Sequence, residues 1–307
     1  MIQDINTHKL DIVYDGKAIL EESDLIVAFS EKDVYMKKQQ EGEAEQFLVC
    51  SDILPVEYRQ EAMERYRKAA VYLLRLDGKR LFLLPDRYLK DAWQSQKRNI
   101  NIFREKTEGN RALHFAMITA WHLYQWYEET KFCGACGVRL RHGKEERTMV
   151  CPICGNTIYP RIYPAVIVGV YDGSRILLTK MSPSAQYYAL VSGYCEAGET
   201  LEETARREVM EETGLSIGPL TYYKSQPWAA SQSVLSGYFA RLEGSADIHI
   251  DGKELCEARW VEREELEGCY SDSGISLTAE MIAYFHKHPE KFPGGIEEDI
   301  ENYKIDY

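Results

Sequence analysis

The fold of one half of this chain is decided by the stretch Gly193-Tyr-Cys-Glu-Ala-Gly-Glu199, followed seven residues later by Arg207-Glu-Val-Met-Glu-Glu-Thr-Gly-Leu215. Between them, Thr200 and Glu203 have the spacing of a capping box, which predicts that a helix begins there. Gly214 suits the left-handed conformation in which helices commonly end. The sequence therefore predicts a loop, a short helix and a second loop.

The predicted helix carries three glutamates on one side. Glu208, Glu211 and Glu212 stand at positions i, i+3 and i+4, so their side chains converge. Carboxylate oxygens are the ligands that Mg²⁺ and Mn²⁺ prefer. We expect the three glutamates to hold such an ion, with the Gly193 carbonyl as a further ligand. An ordinary solvated acidic face is the alternative, and which glutamate serves as general base stays open.

The same stretch fills every fixed position of the pattern G-x5-E-x7-R-E-U-x-E-E-x-G-U, in which U is aliphatic. The chain therefore resembles the Nudix hydrolases. The resemblance implies an αβα sandwich that hydrolyses a nucleoside diphosphate linked to another group. Within the pattern, Arg207 can pair with Glu199 and fix the loop to the helix. We place both residues in the catalytic group with the three glutamates.

Two pairs of cysteines, each with C-x2-C spacing, lie upstream of this stretch. The sulfurs of Cys133, Cys136, Cys151 and Cys154 can close one tetrahedral Zn²⁺ site per chain. Four cysteine ligands leave no open coordination position, so this zinc is expected to be structural. Disulfides or a redox pair are the alternatives. The glycines Gly134, Gly137 and Gly155 are expected to let the backbone turn around the sulfurs.

A third signal is Ser225-Gln-Pro-Trp228, downstream of the acidic helix. A zinc ribbon, a Nudix pattern and S-Q-P-W in this order resemble the NADH pyrophosphatase subfamily, whose members are typically homodimers. The subfamily continues with P-F-P, where this chain has Ala229-Ala230-Ser231. The departure favours a rival substrate such as ADP-ribose.

The subfamily resemblance also implies further site residues. Glu254 matches an acidic residue that completes the metal site, with Glu257 as the alternative and a surface acid as the ordinary explanation. Tyr194 and Tyr159 stand where the subfamily places aromatic residues that stack on nicotinamide, although ordinary packing explains many tyrosines. The remaining expected substrate-binding residues are Gln226, Trp228 and Ser233.

Composition and charge narrow the class of protein. The chain has 307 residues and a formal net charge of −12, which repels polyanions and argues against a general nucleic-acid or membrane binder. The predicted ribbon contains one basic cluster, Arg139, Arg141, Lys144 and Arg147. A solvated loop and a contact with RNA are the two interpretations of this cluster. No hydrophobic secretory segment is visible, so we expect a cytoplasmic protein with reduced cysteines.

The predicted fold class is α+β, with four regions. Residues 1–128 form a separate α/β domain, 129–160 the zinc ribbon, 161–290 the Nudix αβα sandwich and 291–307 a C-terminal tail. Asp77-Gly78 and Asp172-Gly173 each stand between apolar runs and predict hairpins with type I′ turns. The first domain could therefore be a degenerate Nudix-like copy, with coincidence as the alternative. Helices are expected over 111–129 and 276–288.

These observations lead to one function and two rivals. We predict a metal-dependent enzyme that cleaves the pyrophosphate bond of NAD(H) to give nicotinamide mononucleotide and AMP, with RNA bearing a 5′ NAD as a further substrate. The first rival is a Nudix hydrolase of ADP-ribose or another dinucleotide. The second is a catalytically silent, metal-binding sensor or RNA-binding module. The choice among these substrates stays open.

Overall fold

The computed structural model describes residues 1–38, 45–89, 95–101, 111–250 and 252–292. By their contacts, residues fall into two compact units. The N-terminal unit contains residues 2–162 and 229–232, and the C-terminal unit contains Met1, 163–228 and the chain from 233 onward. The boundary predicted between residues 128 and 129 remains a prediction, as does the tail, which from residue 293 lies outside the described residues.

The N-terminal unit begins with a sheet of seven strands in the order β1-β5-β6-β2-β3-β7, with β4 paired to β2. Only β2 and β6 pair in parallel among its described strands. Its elements are β1 (Leu10–Asp11), β2 (Leu25–Ser30), β3 (Asp33–Lys37), β4 (Leu48–Val49), α1 (Arg59–Ala69), β5 (Val71–Leu76), β6 (Lys79–Leu83), β7 (Ser95–Asn99) and α2 (Arg111–Glu129).

One helix covers each face of this sheet. Along β2, Ile26 and Ala28 pack in the cluster that includes α1, whereas Val27 and Phe29 pack in the cluster that includes α2. Alternate residues of a strand point to opposite faces, so both faces of β2 are buried. The first domain is therefore itself a three-layer αβα structure, and the helix predicted over 111–129 is confirmed.

The ribbon follows α2 as a three-stranded sheet, formed by β8 (Arg141–His142), β9 (Met149–Val150) and β10 (Thr157–Ile158) in the order β10-β9-β8. Cys133, Leu140, Met149 and Cys151 are buried in the same apolar cluster as α2. The ribbon therefore shares a core with the N-terminal domain.

The C-terminal unit is built on a six-stranded sheet in the order β14-β15-β11-β12-β16, with β13 paired to β11. Strands β11 and β15 run parallel, and the other described pairs are antiparallel. Its elements are β11 (Tyr163–Asp172), β12 (Arg175–Lys180), β13 (Val191–Tyr194), α3 (Leu201–Thr213), β14 (Ser216–Trp228), β15 (Ser233–Glu243), β16 (Glu257–Glu262) and α4 (Leu277–Lys287).

The two helices of this unit cover opposite faces of its sheet. Val166, Val168 and Val170 of β11 pack with Ala205 and Val209 of α3. Ile167, between them in sequence, packs in the cluster of α4. The αβα sandwich that the resemblance implies is thus confirmed for this half, and so is the closing helix, whose N-cap is Ser276 and whose C-cap is His288.

The two predicted hairpins differ in their turns. Asp77 and Gly78 both have positive φ, 51° and 80°, as a type I′ turn requires, so this prediction is confirmed. In the second hairpin Asp172 pairs with Arg175, and Gly173 alone of the turn residues has positive φ. The type I′ prediction is wrong there, because Asp172 extends the strand and Gly173-Ser174 form the turn with the pattern of type II′.

The strands around the two hairpins also differ. In the N-terminal sheet the second arm, β6, forms the parallel pair, whereas in the C-terminal sheet it is the first arm, β11. The degenerate-copy idea therefore remains a hypothesis, supported by the shared layers and not by strand order. None of the helices in the described part of the chain is long and apolar enough to cross a membrane.

Candidate active site and metal centres

The four ribbon cysteines lie together. Their sulfurs are all within 4.8 Å of one another, and the closest pairs are 3.5 to 3.6 Å apart. Sulfurs bound at ~2.3 Å to a tetrahedral zinc lie about 3.8 Å from each other. The donor set therefore fits Zn²⁺ in both chemistry and geometry. Within the described residues it is also the only group of three or more potential ligands that lie this close together.

Backbone groups support these thiolates. A backbone hydrogen bond from Ala135 is the main influence that lowers the pKa of Cys133 to about 6, with smaller help from Cys136 and the Asn156 amide. Gly137 and Gly155 have positive φ, 74° and 73°, as expected for tight turns around sulfur. Gly134 has no positive φ and open space where a side chain would start, so the role predicted for it is wrong.

The predicted acidic helix begins and ends as its sequence indicates. The Thr200 hydroxyl accepts a hydrogen bond from the Glu203 backbone N–H, and the Glu203 carboxylate accepts one from Thr200. Gly214 at the C-cap has a φ of 71°. Val209 of the helix and Leu215 just after it are buried in the same apolar cluster, which fixes the helix against the sheet.

Arg207 holds the loop before the helix in place. Its guanidinium donates to both carboxylate oxygens of Glu199, at 2.5 and 2.8 Å, and to the Tyr194 carbonyl at 3.0 Å. The buried Thr204 hydroxyl and the Glu196 N–H also donate to Glu199. Mainly because of Arg207, the pKa of Glu199 falls to about 2. Glu199 and Arg207 thus fix the loop to the helix, and their place in the catalytic group stays a prediction.

The same guanidinium reaches two of the three glutamates. It donates to Glu208 at 2.7 Å and to Glu211 at 3.0 Å. Glu208 is 8 % exposed, and its carboxylate lies directly against Gly193. A Cβ added to Gly193 would overlap the carboxyl carbon and both oxygens of Glu208. Any side chain at 193 would therefore displace the Glu208 carboxylate from its present position.

Glu212 and Glu254 join Glu208 and Glu211 in one acidic group. Burial, followed by the charges of Glu208, Glu254 and Glu211, raises the pKa of Glu212 to about 8. Burial also raises the pKa of Glu208, with Glu211 and Glu254 adding to the effect. The carboxylates therefore repel one another with too little positive charge between them. A hard divalent cation suits this set of oxygen ligands.

The structure separates the two candidates for the downstream acid. The negative charge of Glu254 helps to raise the pKa of Glu208 and of Glu212. Glu257 lies at the start of β16, where its carboxylate accepts a hydrogen bond from the Tyr188 hydroxyl at 2.8 Å and pairs with Arg259. Glu254 is thus the better candidate for a metal ligand.

The expected substrate-binding residues divide into exposed and buried ones. Tyr194 is 51 % exposed and packs edge-on against Tyr163, 6.1 Å between ring centroids. Tyr159 is also exposed, in the N-terminal unit, and its hydroxyl donates to Glu146 at 3.2 Å. Trp228 is half-buried at the end of β14, and the buried Ser233 opens β15 opposite it. Of these residues, the two tyrosines are the exposed ones.

Gln226 has a different role from the predicted one. It is fully buried, its Nε2 donates to the Ile275 carbonyl at 2.8 Å, and its Oε1 accepts from the Leu277 N–H at 2.7 Å. Both ends of the amide are used to attach β14 to the start of α4. The expectation that Gln226 binds substrate is therefore corrected, because its polar atoms are already engaged inside the protein.

Two participants were missed from the sequence. Thr204 holds Glu199 from inside the helix, and a threonine in a helix gives no signal of such a contact. Tyr163 supports Tyr194 from the neighbouring strand β11, because Ala165 pairs with Tyr194 in the sheet. That pairing depends on the strand register, which the sequence does not reveal.

Comparison with known proteins agrees with this geometry. Residues 161–285 match the family model of the NUDIX domain, and residues 128–159 match that of the NADH pyrophosphatase zinc ribbon domain. The chain is 39% identical over 145 residues to the NAD-capped RNA hydrolase NudC of Escherichia coli O9:H4 (strain HS), and equally to that of Salmonella schwarzengrund (strain CVM19633).

Each of these alignments covers 47% of this chain and 56% of the relative, so the chain spans about half the length of the curated relatives it matches. In the crystal structure of a NUDIX hydrolase from Nitrosomonas europaea, the matched residues are 24% identical and the TM-score is 0.45. The match covers 53% of the present chain and 95% of the Nitrosomonas europaea chain. The chain carries a Nudix domain, preceded by an NADH pyrophosphatase zinc ribbon domain.

Proposed function

We propose that this protein hydrolyses the pyrophosphate bond of NAD(H), giving nicotinamide mononucleotide and AMP, and that it also cleaves this bond in RNA bearing a 5′ NAD. The observation that carries the proposal is the acidic group that begins at Glu208, whose carboxylate lies against Gly193. Burial raises the pKa of Glu208 and of Glu212, and the charge of Glu254 adds to both effects. The zinc ribbon match and the relatives named NAD-capped RNA hydrolase support the choice of substrate.

In this proposal Glu208, Glu211, Glu212 and Glu254 hold the catalytic metal, with the Gly193 carbonyl beside them. When bound by these residues, a divalent cation would neutralise the phosphate oxygens and would activate a water for in-line attack. Glu199 stays ionised down to about pH 2, since its pKa lies there, so Arg207 remains anchored throughout the working range. Arg207 in turn orients Glu208 and Glu211.

The finer features of the proposal rest on different arguments. Mg²⁺ or Mn²⁺ is favoured by a ligand set made only of oxygens. A cytoplasmic location is supported by the four-thiolate zinc site, which needs reduced cysteines, and the described structure has no disulfide. A homodimer is proposed from the subfamily resemblance alone.

For the nicotinamide ring we propose contact with Tyr194, whose exposed face stands one residue after Gly193. From the subfamily resemblance alone, Tyr159, Trp228 and Ser233 are proposed as further substrate-binding residues. The departure from the subfamily pattern, Ala229 to Ser231, forms a short 3₁₀ turn in which Ala229 is buried and its carbonyl accepts from Gln125. Because P-F-P is absent at these positions, ADP-ribose or another dinucleotide is the second candidate substrate.

An activity panel tests the proposal. The purified chain is incubated with Mg²⁺ or Mn²⁺ and, separately, with NADH, NAD⁺, ADP-ribose, a dinucleoside polyphosphate and NAD-capped RNA, and products are separated by chromatography. We expect nicotinamide mononucleotide and AMP from NADH, and 5′-monophosphorylated RNA from the capped transcript. Faster turnover of ADP-ribose than of NADH would mean that ADP-ribose is the preferred substrate. Absence of turnover on every compound would favour the silent sensor or RNA-binding module.

A further inference from the structure

A cavity in the N-terminal unit is not used by the proposed reaction. It has a volume of about 590 Å³ and lies where the end of β2, the segment after β6, helix α2 and the ribbon meet. Sites for small molecules in proteins typically enclose ~300–1,000 Å³. The cavity is therefore large enough to hold a nucleotide-sized ligand.

Two arginines line this cavity from different parts of the unit. Arg87 follows β6, and Arg139 belongs to the ribbon. Each guanidinium lies over an aromatic ring, Arg87 over Tyr88 at 4.9 Å and Arg139 over Phe132 at 6.0 Å. Across the part of the chain that the structure describes, neither forms an ion pair with a carboxylate. Both therefore have donors available for an anion, and guanidinium groups match phosphate geometry well.

The other basic residues nearby are engaged. Lys131 also lines the cavity, but it donates to Glu128 at 2.6 Å. Arg147, from the basic cluster of the ribbon, donates to the backbone carbonyls of Tyr72 and Leu73 and lies over the Tyr14 ring. The basic cluster noticed in the sequence thus divides, with Arg147 holding the ribbon to β5 and Arg139 facing the cavity.

The remaining walls suit a nucleoside better than a bare anion. Phe29 and Tyr124 line the cavity with ring centroids 5.0 Å apart, and Tyr127 lines it as well. Aromatic side chains provide stacking surface for a base. The carboxylates of Glu31 and Asp86 are also in the lining. Carboxylates repel phosphate but accept hydrogen bonds from ribose hydroxyls, as an acidic residue does in dinucleotide sites.

We propose that this cavity is a second nucleotide site, which binds a nucleoside 5′-phosphate through Arg87, Arg139 and the aromatic side chains that line it, Phe29, Tyr124 and Tyr127. The phosphate lies between the two guanidiniums, the base against Tyr124 and the ribose near the carboxylates. The ligand is either a free nucleotide or a nucleotide of an RNA chain, which share this chemistry. The site goes beyond the proposed function, because binding there requires neither the catalytic metal nor turnover.

Photo-crosslinking tests the site on the full-length protein. The chain is irradiated with 8-azido-AMP without added divalent metal, and labelled peptides are identified by mass spectrometry. We expect label in peptides that contain Tyr124, Tyr127 or Met149, suppressed by excess AMP. Peptide mapping separates this label from any in the acidic helix, and a protein without hydrolase activity still gives it. Failure to label these peptides overturns the proposal.

Matched substitutions make the test specific. Arg87→Gln and Arg139→Gln should each weaken AMP competition by roughly ten-fold or more, because a charged hydrogen bond to phosphate is lost. Arg65→Gln and Arg141→Gln change exposed arginines of the same unit outside the cavity lining and should alter competition less than about two-fold. Equal losses in all four variants would mean that general charge, and no built site, attracts the probe.

The source of the nucleotide is distinguished by the competitor. Protection by a 5′-monophosphorylated oligoribonucleotide at least as strong as that by AMP identifies an RNA chain as the ligand. Protection by AMP alone identifies a free nucleotide, and either result supports the site. If adenosine or inorganic phosphate protects as well as AMP, the cavity does not recognise a nucleoside phosphate and the proposal fails.

Discussion

The four ribbon cysteines and the acidic group differ in how closely the protein alone brings their side chains together. In the ribbon, four sulfurs already lie at nearly the spacing that zinc requires. In the acidic group, the carboxylates stay farther apart, and Arg207 occupies positions between Glu208 and Glu211. Tight backbone turns at Gly137 and Gly155 bring the ribbon ligands together, whereas two of the acidic ligands share the guanidinium of Arg207. Ligands that are already assembled suit a structural ion, and carboxylates paired with an arginine suit a proposed site that loads its metal by exchanging partners.

The largest effect is expected at the ribbon. Cys151→Ser should abolish tight zinc binding and lower the melting temperature by roughly 10 °C or more, because structural zinc contributes ~10 kcal/mol in isolated zinc fingers and Cys151 is buried in the shared core. Elemental analysis and thermal unfolding measure both. The exposed Cys256, changed to Ser, is the control and should keep about one zinc per chain. A Cys151→Ser protein that keeps its zinc and its melting temperature would contradict the structural role of this site.

In the acidic group, Glu211→Gln should spare stability but not catalysis. The exposed carboxylate is a proposed metal ligand, so its loss should lower kcat by about a hundred-fold or more and raise the Mg²⁺ concentration needed. Steady-state kinetics over a metal titration measure this. Glu202→Gln, on the exposed part of the same helix, should behave as wild type. Full activity in Glu211→Gln, or with excess chelator, contradicts the proposed mechanism.

Glycine substitution compares the two centres directly. Gly193→Ala should displace the Glu208 carboxylate and reduce kcat by roughly ten- to a hundred-fold, since a misplaced ligand costs this much. Gly134→Ala, in the ribbon, meets open space and should leave zinc content and activity unchanged. Kinetics and elemental analysis of both variants decide. Normal kcat in Gly193→Ala would mean that the position of Glu208 is not critical.

The raised pKa of Glu212 predicts a pH effect on the metal-free acidic site. Folding raises the pKa from 4.5 to about 8, so the folded state favours the protonated acid, and stability falls as pH rises through this interval. Glu212→Gln should therefore melt higher than wild type at pH 8.5, by about 2–4 °C for each kcal/mol recovered, with a much smaller gain at pH 5. Added Mg²⁺ should reverse the advantage. A gain independent of pH would point to packing instead of charge.

The smallest effect concerns substrate choice. Tyr194→Ala should lower kcat/KM for NADH by roughly two- to twelve-fold, the value of ~0.5–1.5 kcal/mol for one aromatic pair, and should change ADP-ribose turnover little because that substrate lacks nicotinamide. Tyr222→Ala removes another exposed tyrosine of the same unit and serves as control. Equal losses for NADH and ADP-ribose would show that Tyr194 shapes the site in general.

Much of the local structure could be predicted because it depends on neighbours in sequence. The capping box at Thr200, the left-handed Gly214 and the helix over 111–129 all follow from contacts within a few residues. The turn at Asp172 was predicted wrongly, because a one-residue change of strand register moves the turn from Asp172-Gly173 to Gly173-Ser174. Propensity alone does not determine register.

Residue spacing in the sequence is enough to predict the four zinc ligands, the acidic helix with its three glutamates, and the pairing of Arg207 with Glu199, and the family resemblance adds the αβα sandwich. These residues stand within a knuckle, a helix or an adjoining loop, where chain geometry leaves few arrangements. Three relations appear only in the folded protein: Gln226 joins β14 to the start of α4, Gly193 leaves space for the Glu208 carboxylate, and Arg87 and Arg139 line one cavity. Those relations join residues far apart in sequence, and packing among several elements sets them.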